Sequence, residues 1–188
     1  MKKIVLLLAA TLIAAFAIPS FAADSSFTQV NSAGKMVIGL DDAFPPMGYR
    51  DASGKLIGFD IDAAEEVGKR LGIKIEWQPT AWDGVMHSLN AKKFDCIWNG
   101  MTITDERAKE VAFTKPYVMD GQIAVVRFSD KRFKALKDLK NVKVGAQKGS
   151  SALNSVKKLP TAPAELKEYE DNPKALLDLE AARIDVVW

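Results

Sequence analysis

The stretch GFDIDAAEEVGKRLGIKIEW, residues 58–77, decides the fold class. Its apolar side chains recur at helical spacing at four positions: Ile61, Ala64, Val67 and Leu71. This spacing, followed by Gly72 as a stop signal, predicts an amphipathic helix over 58–72. The stretch IKIEW at 73–77 predicts a strand. A helix that leads directly into a strand is part of a β-α-β unit, so the stretch indicates an α/β protein.

The same alternation continues on both sides of this stretch. The pattern predicts further strands at 36–40 and 94–98 and a helix at 82–93. This order of elements predicts a mostly parallel sheet flanked by helices. A second set follows, with strands at 142–147, 165–170 and 184–188 and helices at 150–158 and 172–183. Asn172 is predicted to cap the last helix, with Pro173 at its first position.

The chain divides into a leader and two lobes. Lys2 and Lys3 precede an unbroken apolar run and then the small residues of PSFAAD, which predicts a secretory signal peptide at 1–22. A membrane anchor fits less well, because the run is short of the roughly 20 residues that span a bilayer. We expect a mature tail, a first lobe, an inter-lobe crossover and a second lobe at 23–35, 36–120, 117–127 and 128–188. The sequence stops within an apolar stretch, IDVVW, so we expect the second lobe to be incomplete.

Composition narrows the classes of function. The 26 basic residues exceed the 24 acidic residues only by Lys2 and Lys3, which leave with the leader, so net charge does not favour nucleic-acid binding. Cys96 and His87 are the single cysteine and the single histidine. One residue of each type excludes a disulfide framework and a Cys/His metal cluster. The sequence therefore predicts no cofactor.

Parallel sheets of this kind bind ligands beyond the carboxyl ends of their strands. Three segments follow predicted strands there: DDAFPPMGYR from residue 41, NGMTITDER from residue 99 and QKGSSA from residue 147. In the second segment, Thr104 is a predicted helix N-cap and Arg107 lies in the first turn, where a cation is unfavourable. Arg107 therefore needs an anionic partner, which is either a ligand carboxylate or a protein carboxylate such as Asp105.

The same edge offers backbone, hydroxyl, carboxylate and aromatic groups to a small polar ligand: Gly100, Thr102, Ser150, Ser151, Asp41, Phe44 and Trp82. From the residues alone, each group has a structural alternative. The serines are equally an ordinary helix cap, the aspartate a turn cap, and the aromatic rings core side chains. The combination at one edge favours binding.

Five segments of the chain resemble the periplasmic amino-acid-binding proteins of ABC importers, the family 3 solute-binding proteins: GLDDAFPPMGY, GKLIGFDIDAAEEVGKRLG, WDGVMHSLNAKKFDCI, MTITDERAKEVAFTKPYV and VGAQKGSSA. The resemblance covers about 36–188. It implies a two-lobe, periplasmic-binding-protein-like α/β fold that closes on a free amino acid. It also implies a periplasmic monomer that carries out no catalysis and delivers its ligand to an ABC permease in the inner membrane.

The resemblance also implies a role for each matching residue. Arg107 is expected to grip the ligand's α-carboxylate, with help from the backbone of Gly100 and the hydroxyl of Thr102. Asp41 is expected to lie near the ammonium group or the ligand side chain. Further residues are expected to stack on that side chain or to close over it from the second lobe: Phe44, Trp82, Gln147, Ser150 and Ser151.

Two positions depart from the family pattern. Asn99 stands where the family often has a small residue, and is expected to touch the ligand side chain. Met101 replaces a smaller or polar residue in the same loop and is included in the predicted site. The acidic residue with which the family anchors the α-ammonium follows the strand that ends here at Trp188.

Two other functions stay open at this point. One is an enzyme on the same scaffold, of the cyclohexadienyl or arogenate dehydratase kind, and the other is the ligand-sensing domain of a receptor. An enzyme needs an acid or base in the cleft. Asp41 already has a binding role and His87 lies in the middle of a predicted helix, so the sequence offers no surplus candidate.

Overall fold

The computed structural model describes residues 25–188, so the predicted signal peptide at 1–22 lies outside the described part. Three parallel strands form the first sheet, in the order β5 (Lys74–Pro79), β1 (Lys35–Leu40) and β6 (Cys96–Ile97). Ile38 and Leu40 on the central strand are completely buried. Burial of this kind is expected where helices cover a parallel sheet.

Helix α2 (Phe59–Leu71) forms where the apolar spacing predicts it. Its buried face includes Ile61, and full burial of such a side chain contributes about 1.5–3 kcal/mol. A Cβ atom on Gly68 would lie 2.7 Å from the Ile75 side chain, so glycine allows the helix to approach β5 closely. Gly72 ends the helix in the left-handed conformation, with a φ of 69°.

Four strands form the second sheet, in the order β7 (Val125–Val126), β10 (Val186–Val187), β8 (Lys143–Gln147) and β9 (Glu165–Tyr169). β8 is parallel to both of its neighbours, whereas β7 is an antiparallel edge strand. Two helices pack on β8: α4 (Ser151–Lys157) and α5 (Asn172–Glu180). A buried apolar cluster joins α4 to this sheet: Leu139, Val142, Val144, Val156 and Val186. The predicted α/β architecture with mostly parallel sheets is confirmed.

Several short elements were not predicted. A small antiparallel sheet lies between β1 and α2 and consists of β2 (Ala43–Phe44), β3 (Gly48–Arg50) and β4 (Leu56–Ile57). Strands of two or three residues are too short to show a hydrophobic period. Helix α1 (Ser26–Ala33) lies in the predicted tail. Its sequence is short and mostly polar, and Val30 is its one buried residue.

Two predicted helices differ in type or length. The helix predicted at 82–93 consists of a 3-10 turn, Trp82–Gly84, followed by α3 (Val85–Asn90). The helix predicted after Thr104 is only a 3-10 turn, Arg107–Lys109. Thr104 Oγ1 does accept the Arg107 backbone N–H at 3.2 Å. A single turn of this kind, with few residues on either side to extend it, gives little net stability as an α-helix.

The cap of α5 is also different from the prediction. Asp171, not Asn172, caps this helix, because its Oδ1 atom accepts the Lys174 backbone N–H at 2.8 Å. Asn172 is the first helical residue, and its Nδ2 atom lies 3.5 Å from Gln147 Oε1. The neighbouring aspartate is an equally good cap, and tertiary contact decides between the two.

The segment 117–127 runs from the first sheet to the second. At its start, the Tyr117 hydroxyl is hydrogen-bonded to Asp60 of α2. At its end, Val125 pairs with Val187 of the second sheet. Its assignment as a crossover between lobes stays a prediction. Within the described part of the chain, no helix has the length and apolar character needed to cross a membrane.

Candidate ligand-binding site

A cavity of about 350 Å³ lies where the carboxyl ends of the two sheets meet. The loop after β1, the loop after β6 and the turn after β8 all contribute to its wall. Every predicted site residue except Met101 lines it: Asp41, Phe44, Trp82, Asn99, Gly100, Thr102, Arg107, Gln147, Ser150 and Ser151. The structure thus brings these residues together, whereas their roles toward a ligand stay predictions.

Met101 is placed elsewhere. Its side chain packs against the buried cluster of Trp82, Val85 and Phe94 and is not part of the cavity wall. Asn99 and Met101 belong to the same loop, yet Asn99 lines the cavity while the Met101 side chain packs on the core. We therefore remove Met101 from the proposed site.

Arg107 lines the cavity, and the groups that its side chain contacts do not include a carboxylate. Its Nη1 atom donates to the Thr102 carbonyl at 2.9 Å, and its Nη2 atom donates to the Gly149 carbonyl at 3.1 Å. The guanidinium carbon lies 5.5 Å from the centre of the Trp82 ring. Among residues 25–188, no acidic side chain forms an ion pair with Arg107, and the neighbouring Glu106 pairs with Lys158 instead.

Burial is unfavourable for this cation. It lowers the pKa of Arg107, and no nearby negative charge offsets the effect. Guanidinium groups nevertheless stay protonated in proteins, so a positive charge persists in the cavity. Two carbonyl oxygens satisfy part of its hydrogen-bonding capacity but not its charge. The arrangement leaves Arg107 ready for a small anion.

Asp41 is the opposite charge in the same cavity, and only 9% of the residue is exposed. Its Oδ1 atom accepts the Ala43 backbone N–H at 2.9 Å, and its Oδ2 atom accepts from Gln147 Nε2 at 2.6 Å. Its own backbone N–H donates to Asn99 Oδ1 at 3.1 Å. Asp41 therefore caps a turn and also faces the cavity.

The pKa of Asp41 is raised, chiefly because burial disfavours its charged form. The hydrogen bonds from Ala43 and Gln147 lower it again in part, while the Asp171 and Asp42 carboxylates add to the rise. A cationic group placed beside Asp41 would relieve this penalty.

The two aromatic residues have different surroundings. Trp82 belongs to a buried cluster with Val85 and Phe94, and it also lines the cavity beneath Arg107. Trp82 is therefore a core residue that also forms part of the cavity wall. Phe44 is only partly buried and lies on β2, with its ring next to Gly100.

The turn after β8 closes the cavity from the second sheet. Ser150 caps α4, since its Oγ atom accepts the Leu153 backbone N–H at 3.0 Å. Ser151 Oγ donates to Thr102 Oγ1 at 3.2 Å, which joins the two sides directly. A Cβ atom on Gly149, whose φ is 73°, would lie 2.7 Å from Asp83 Cα, so glycine is needed where the two sides meet.

Sequence reasoning missed several cavity residues: Asp120, Gln122, Asn172, Leu176 and Trp188. The first two belong to the polar triplet DGQ, which interrupts an otherwise apolar segment at 117–127 and was a usable signal. The others lie on elements that were predicted as helix or core strand, and only the packing of the second sheet brings them to the cavity.

The cavity as a whole suits a small zwitterion. It presents one guanidinium, one buried carboxylate, several neutral polar groups and aromatic walls. Among the described residues, no three histidine, cysteine, aspartate or glutamate side chains are grouped as metal ligands would be. One ligand that carries both a negative and a positive group would pair with both Arg107 and Asp41.

Comparison with known proteins points the same way. The model of the bacterial extracellular solute-binding proteins, family 3, matches residues 36–172. The L-cystine-binding protein TcyJ of Escherichia coli K12 is 33% identical over 181 residues, which are 96% of this chain and 68% of that protein. The chain thus spans about two thirds of the length of this curated relative. Such relatives are named as binding proteins and not as enzymes.

Solved structures share the fold. A variant of arginine-bound ArgBP from T. maritima matches with a TM-score of 0.79 and 36% identity, over 85% of this chain and 75% of that one. An ancestral amino acid-binding protein, AncCDT-1, described as a precursor of cyclohexadienyl dehydratase, matches with a TM-score of 0.83 and 35% identity, over 87% and 73%. The predicted two-lobe, periplasmic-binding-protein-like fold is confirmed by these neighbours. The chain belongs to the bacterial extracellular solute-binding proteins, family 3.

Proposed function

We propose that this chain binds a free amino acid outside the cytoplasm and hands it to an ABC-type permease of the inner membrane. The observation that carries the proposal is Arg107, a half-buried cation in a cavity between two lobes, whose guanidinium donates, among the described residues, only to carbonyl oxygens. A guanidinium presents parallel donors that match a carboxylate. A free amino acid carries such a carboxylate and also an ammonium group that can pair with Asp41.

The remaining cavity residues have assigned roles in this proposal. The backbone at Gly100 and the hydroxyl of Thr102 assist Arg107 at the carboxylate. Phe44 and Trp82 contact the apolar part of the ligand side chain, and Asn99 contacts its polar part. The residues that close from the second lobe are Gln147, Ser150 and Ser151.

Clamp closure follows from this arrangement. Lobe 1 (36–120) and lobe 2 (128–188) each supply part of the wall, and the crossover (117–127) joins them. A ligand that contacts both lobes favours the closed arrangement over the open one, which is a population shift. The permease would then recognise the closed form. We propose a periplasmic monomer, exported by the signal peptide at 1–22.

A thermal-shift panel of the common L-amino acids, each in large excess, tests this function. A ligand present at about 100 times its Kd stabilises the folded state by about 2.7 kcal/mol. For a domain of this size, the melting temperature then rises by several degrees. If no amino acid raises it, the proposed function is wrong.

An enzymatic function of the dehydratase kind is the second candidate, because AncCDT-1 is described as a precursor of such an enzyme. The acidic residues on the cavity wall are Asp41 and Asp120. Asp41 is already hydrogen-bonded to Ala43 and Gln147, and Asp120 lies exposed on the crossover. We propose binding without turnover. Incubation with an arogenate-type acid, followed by chromatography, decides between the two.

A further inference from the structure

Two side chains that are not part of the cavity wall hold the loop that carries Gly100. Asp60, near the start of α2, has no exposed surface, and its Oδ1 atom accepts from the Tyr117 hydroxyl at 2.9 Å. The same hydroxyl accepts the Gly100 backbone N–H at 3.1 Å. Gly100 lines the cavity, whereas Asp60 and Tyr117 do not. A buried carboxylate is thus linked to a ligand-facing peptide through one phenol.

The Tyr117 ring is fixed independently of its hydroxyl. It stacks on Phe59, with ring centres 6.3 Å apart and an angle of 12° between the planes. It also meets Trp98 edge-on, with ring centres 6.2 Å apart. Because both contacts involve the ring alone, replacement of the tyrosine by phenylalanine removes only the hydroxyl link.

Burial of the Asp60 carboxylate at this place is energetically unfavourable. Burial raises its pKa, which the hydrogen bond from the Tyr117 hydroxyl lowers only in part. Its Oδ2 atom has no hydrogen-bond partner in the described structure, and neither has the buried Trp98 Nε1 atom. An apolar residue would be more favourable here for packing alone. The carboxylate therefore indicates a requirement for the hydrogen bonds that it makes.

The Gly100 peptide needs such a restraint. Its φ is 56°, in the left-handed region, and a Cβ atom there would lie 3.2 Å from the Met47 side chain and 3.4 Å from Phe44. A glycine in a loop has several accessible backbone conformations, and only a fixed one presents a defined edge to a ligand. Tyr117 is also the first residue of the crossover, so its hydroxyl ties that segment to the same loop.

We propose that Asp60 and Tyr117 are a positioning pair: Asp60 orients the Tyr117 hydroxyl, and this hydroxyl fixes the Gly100 peptide in the conformation that the ligand requires. The pair also anchors the start of the crossover to the first lobe, so the bending that accompanies closure takes place beyond Tyr117. The ligand part of this proposal rests on the proposed amino-acid binding. The part that concerns the loop does not.

The test uses the full chain with Tyr117→Phe, and Tyr169→Phe as a matched control. Tyr169 makes the same type of bond, with its hydroxyl 2.7 Å from Asp178 Oδ2, but it lies in the second lobe and away from the cavity wall. The first measurement is hydrogen exchange of the Gly100 amide by NMR, compared with the Ile38 amide of the core. We expect exchange at Gly100 to become at least about tenfold faster in Tyr117→Phe only.

The second measurement is the Kd of the amino acid that binds wild type best, by titration calorimetry. We expect Tyr117→Phe to weaken binding about tenfold, and Tyr169→Phe to stay within about twofold of wild type. Asp60→Asn keeps an acceptor for the phenol and should stay within about threefold. Asp60→Ala should lose as much affinity as Tyr117→Phe.

Three outcomes overturn the proposal. They are unchanged Gly100 exchange in Tyr117→Phe, an equal acceleration at Ile38 that reports global destabilisation, and faster Gly100 exchange without loss of affinity. If wild type binds no amino acid, the proposed function fails on its own. The exchange measurement then still decides whether the pair holds the loop.

Discussion

Gln147 Nε2 donates a 2.6 Å hydrogen bond to Asp41 Oδ2, and this bond joins the carboxyl ends of the two sheets inside the cavity. A second bond across the same gap runs from Arg107 Nη2 to the Gly149 carbonyl, at 3.1 Å. Asp41 and Arg107, on the side of the first sheet, are therefore each hydrogen-bonded to the end of β8 or the turn after it. In the proposed clamp, a ligand that replaces or shares these bonds changes the contact between the lobes, and this would couple binding to closure.

Replacement of Arg107 should abolish tight binding. In Arg107→Met the carboxylate loses both donors and the opposite charge, and removal of one partner of a buried charge pair costs about 2–5 kcal/mol. We expect the Kd to rise at least about 30-fold. Arg107→Lys keeps the charge but loses the planar pair of donors, so its Kd should lie between those of wild type and Arg107→Met. Titration calorimetry measures all three proteins.

The matched control for this change is Arg70→Met. Arg70 lies on α2 and pairs with Glu66 at the surface, at 2.7 Å, far from the cavity wall. We expect its Kd to equal that of wild type. Equal losses in the Arg70 and Arg107 variants would contradict the assigned role of Arg107.

The raised pKa of Asp41 predicts a specific dependence of stability on pH. The folded pKa lies above the ordinary value of 3.8, because burial disfavours the charge. This contribution to the free energy of unfolding is fully present below the unfolded pKa, and it is lost as pH rises through the folded pKa. Asp41→Asn cannot ionise. The melting temperature of wild type minus that of Asp41→Asn should therefore fall from about pH 3 to about pH 7.

Differential scanning fluorimetry without ligand makes this comparison, since both proteins carry every other titrating group. A difference that rises with pH would mean that Asp41 is stabilised as a carboxylate, contrary to this account. Affinity for a ligand ammonium group should change in the opposite direction, because only ionised Asp41 attracts it.

The close approach at Gly149 predicts a loss of binding in Gly149→Ala. The new Cβ atom would lie 2.7 Å from Asp83 Cα, and this clash would hold the two lobes apart. The φ of 73° at residue 149 also disfavours alanine. We expect a loss of about 1–2 kcal/mol in stability from the backbone. We also expect at least a tenfold rise in Kd, equal to about 1.4 kcal/mol, from impaired closure.

Gly54→Ala separates these two effects. Gly54 has a φ of 83° but open space around it, so it suffers the backbone penalty without a clash. Its stability should fall by a similar amount while its Kd stays unchanged. Calorimetry and chemical denaturation measure both quantities. A normal Kd in Gly149→Ala would show that close contact at Asp83 is not needed for binding.

The sequence predicted the parts of the fold that follow from long periodic patterns. Helix α2 shows several turns of apolar spacing, and the strand ends place Asp41 and Arg107 at one edge by a general rule of parallel sheets. The short strands of the small antiparallel sheet carry no such period. The cap of α5 could not be chosen between Asp171 and Asn172, because both residue types suit it.

The site was predictable in outline for the same reason. Residue type and strand position identify the cavity charges, but they do not give the direction of a loop side chain, so Met101 was assigned to the wrong side of its loop. Asp60 and Tyr117 lie far apart in sequence, and only the folded chain brings the phenol to Gly100. The contacts across the cavity, such as Gln147 to Asp41, depend on the packing of the lobes.

The central claim is that Arg107 binds the α-carboxylate of an amino acid. Its most direct test is calorimetric titration of the best-binding amino acid, and of the amine that lacks only its α-carboxylate, into wild type and Arg107→Met. We predict that wild type prefers the amino acid by at least about 30-fold and that Arg107→Met has almost no preference. An amine that binds wild type as tightly as the amino acid does, or an unchanged preference in Arg107→Met, would contradict the claim.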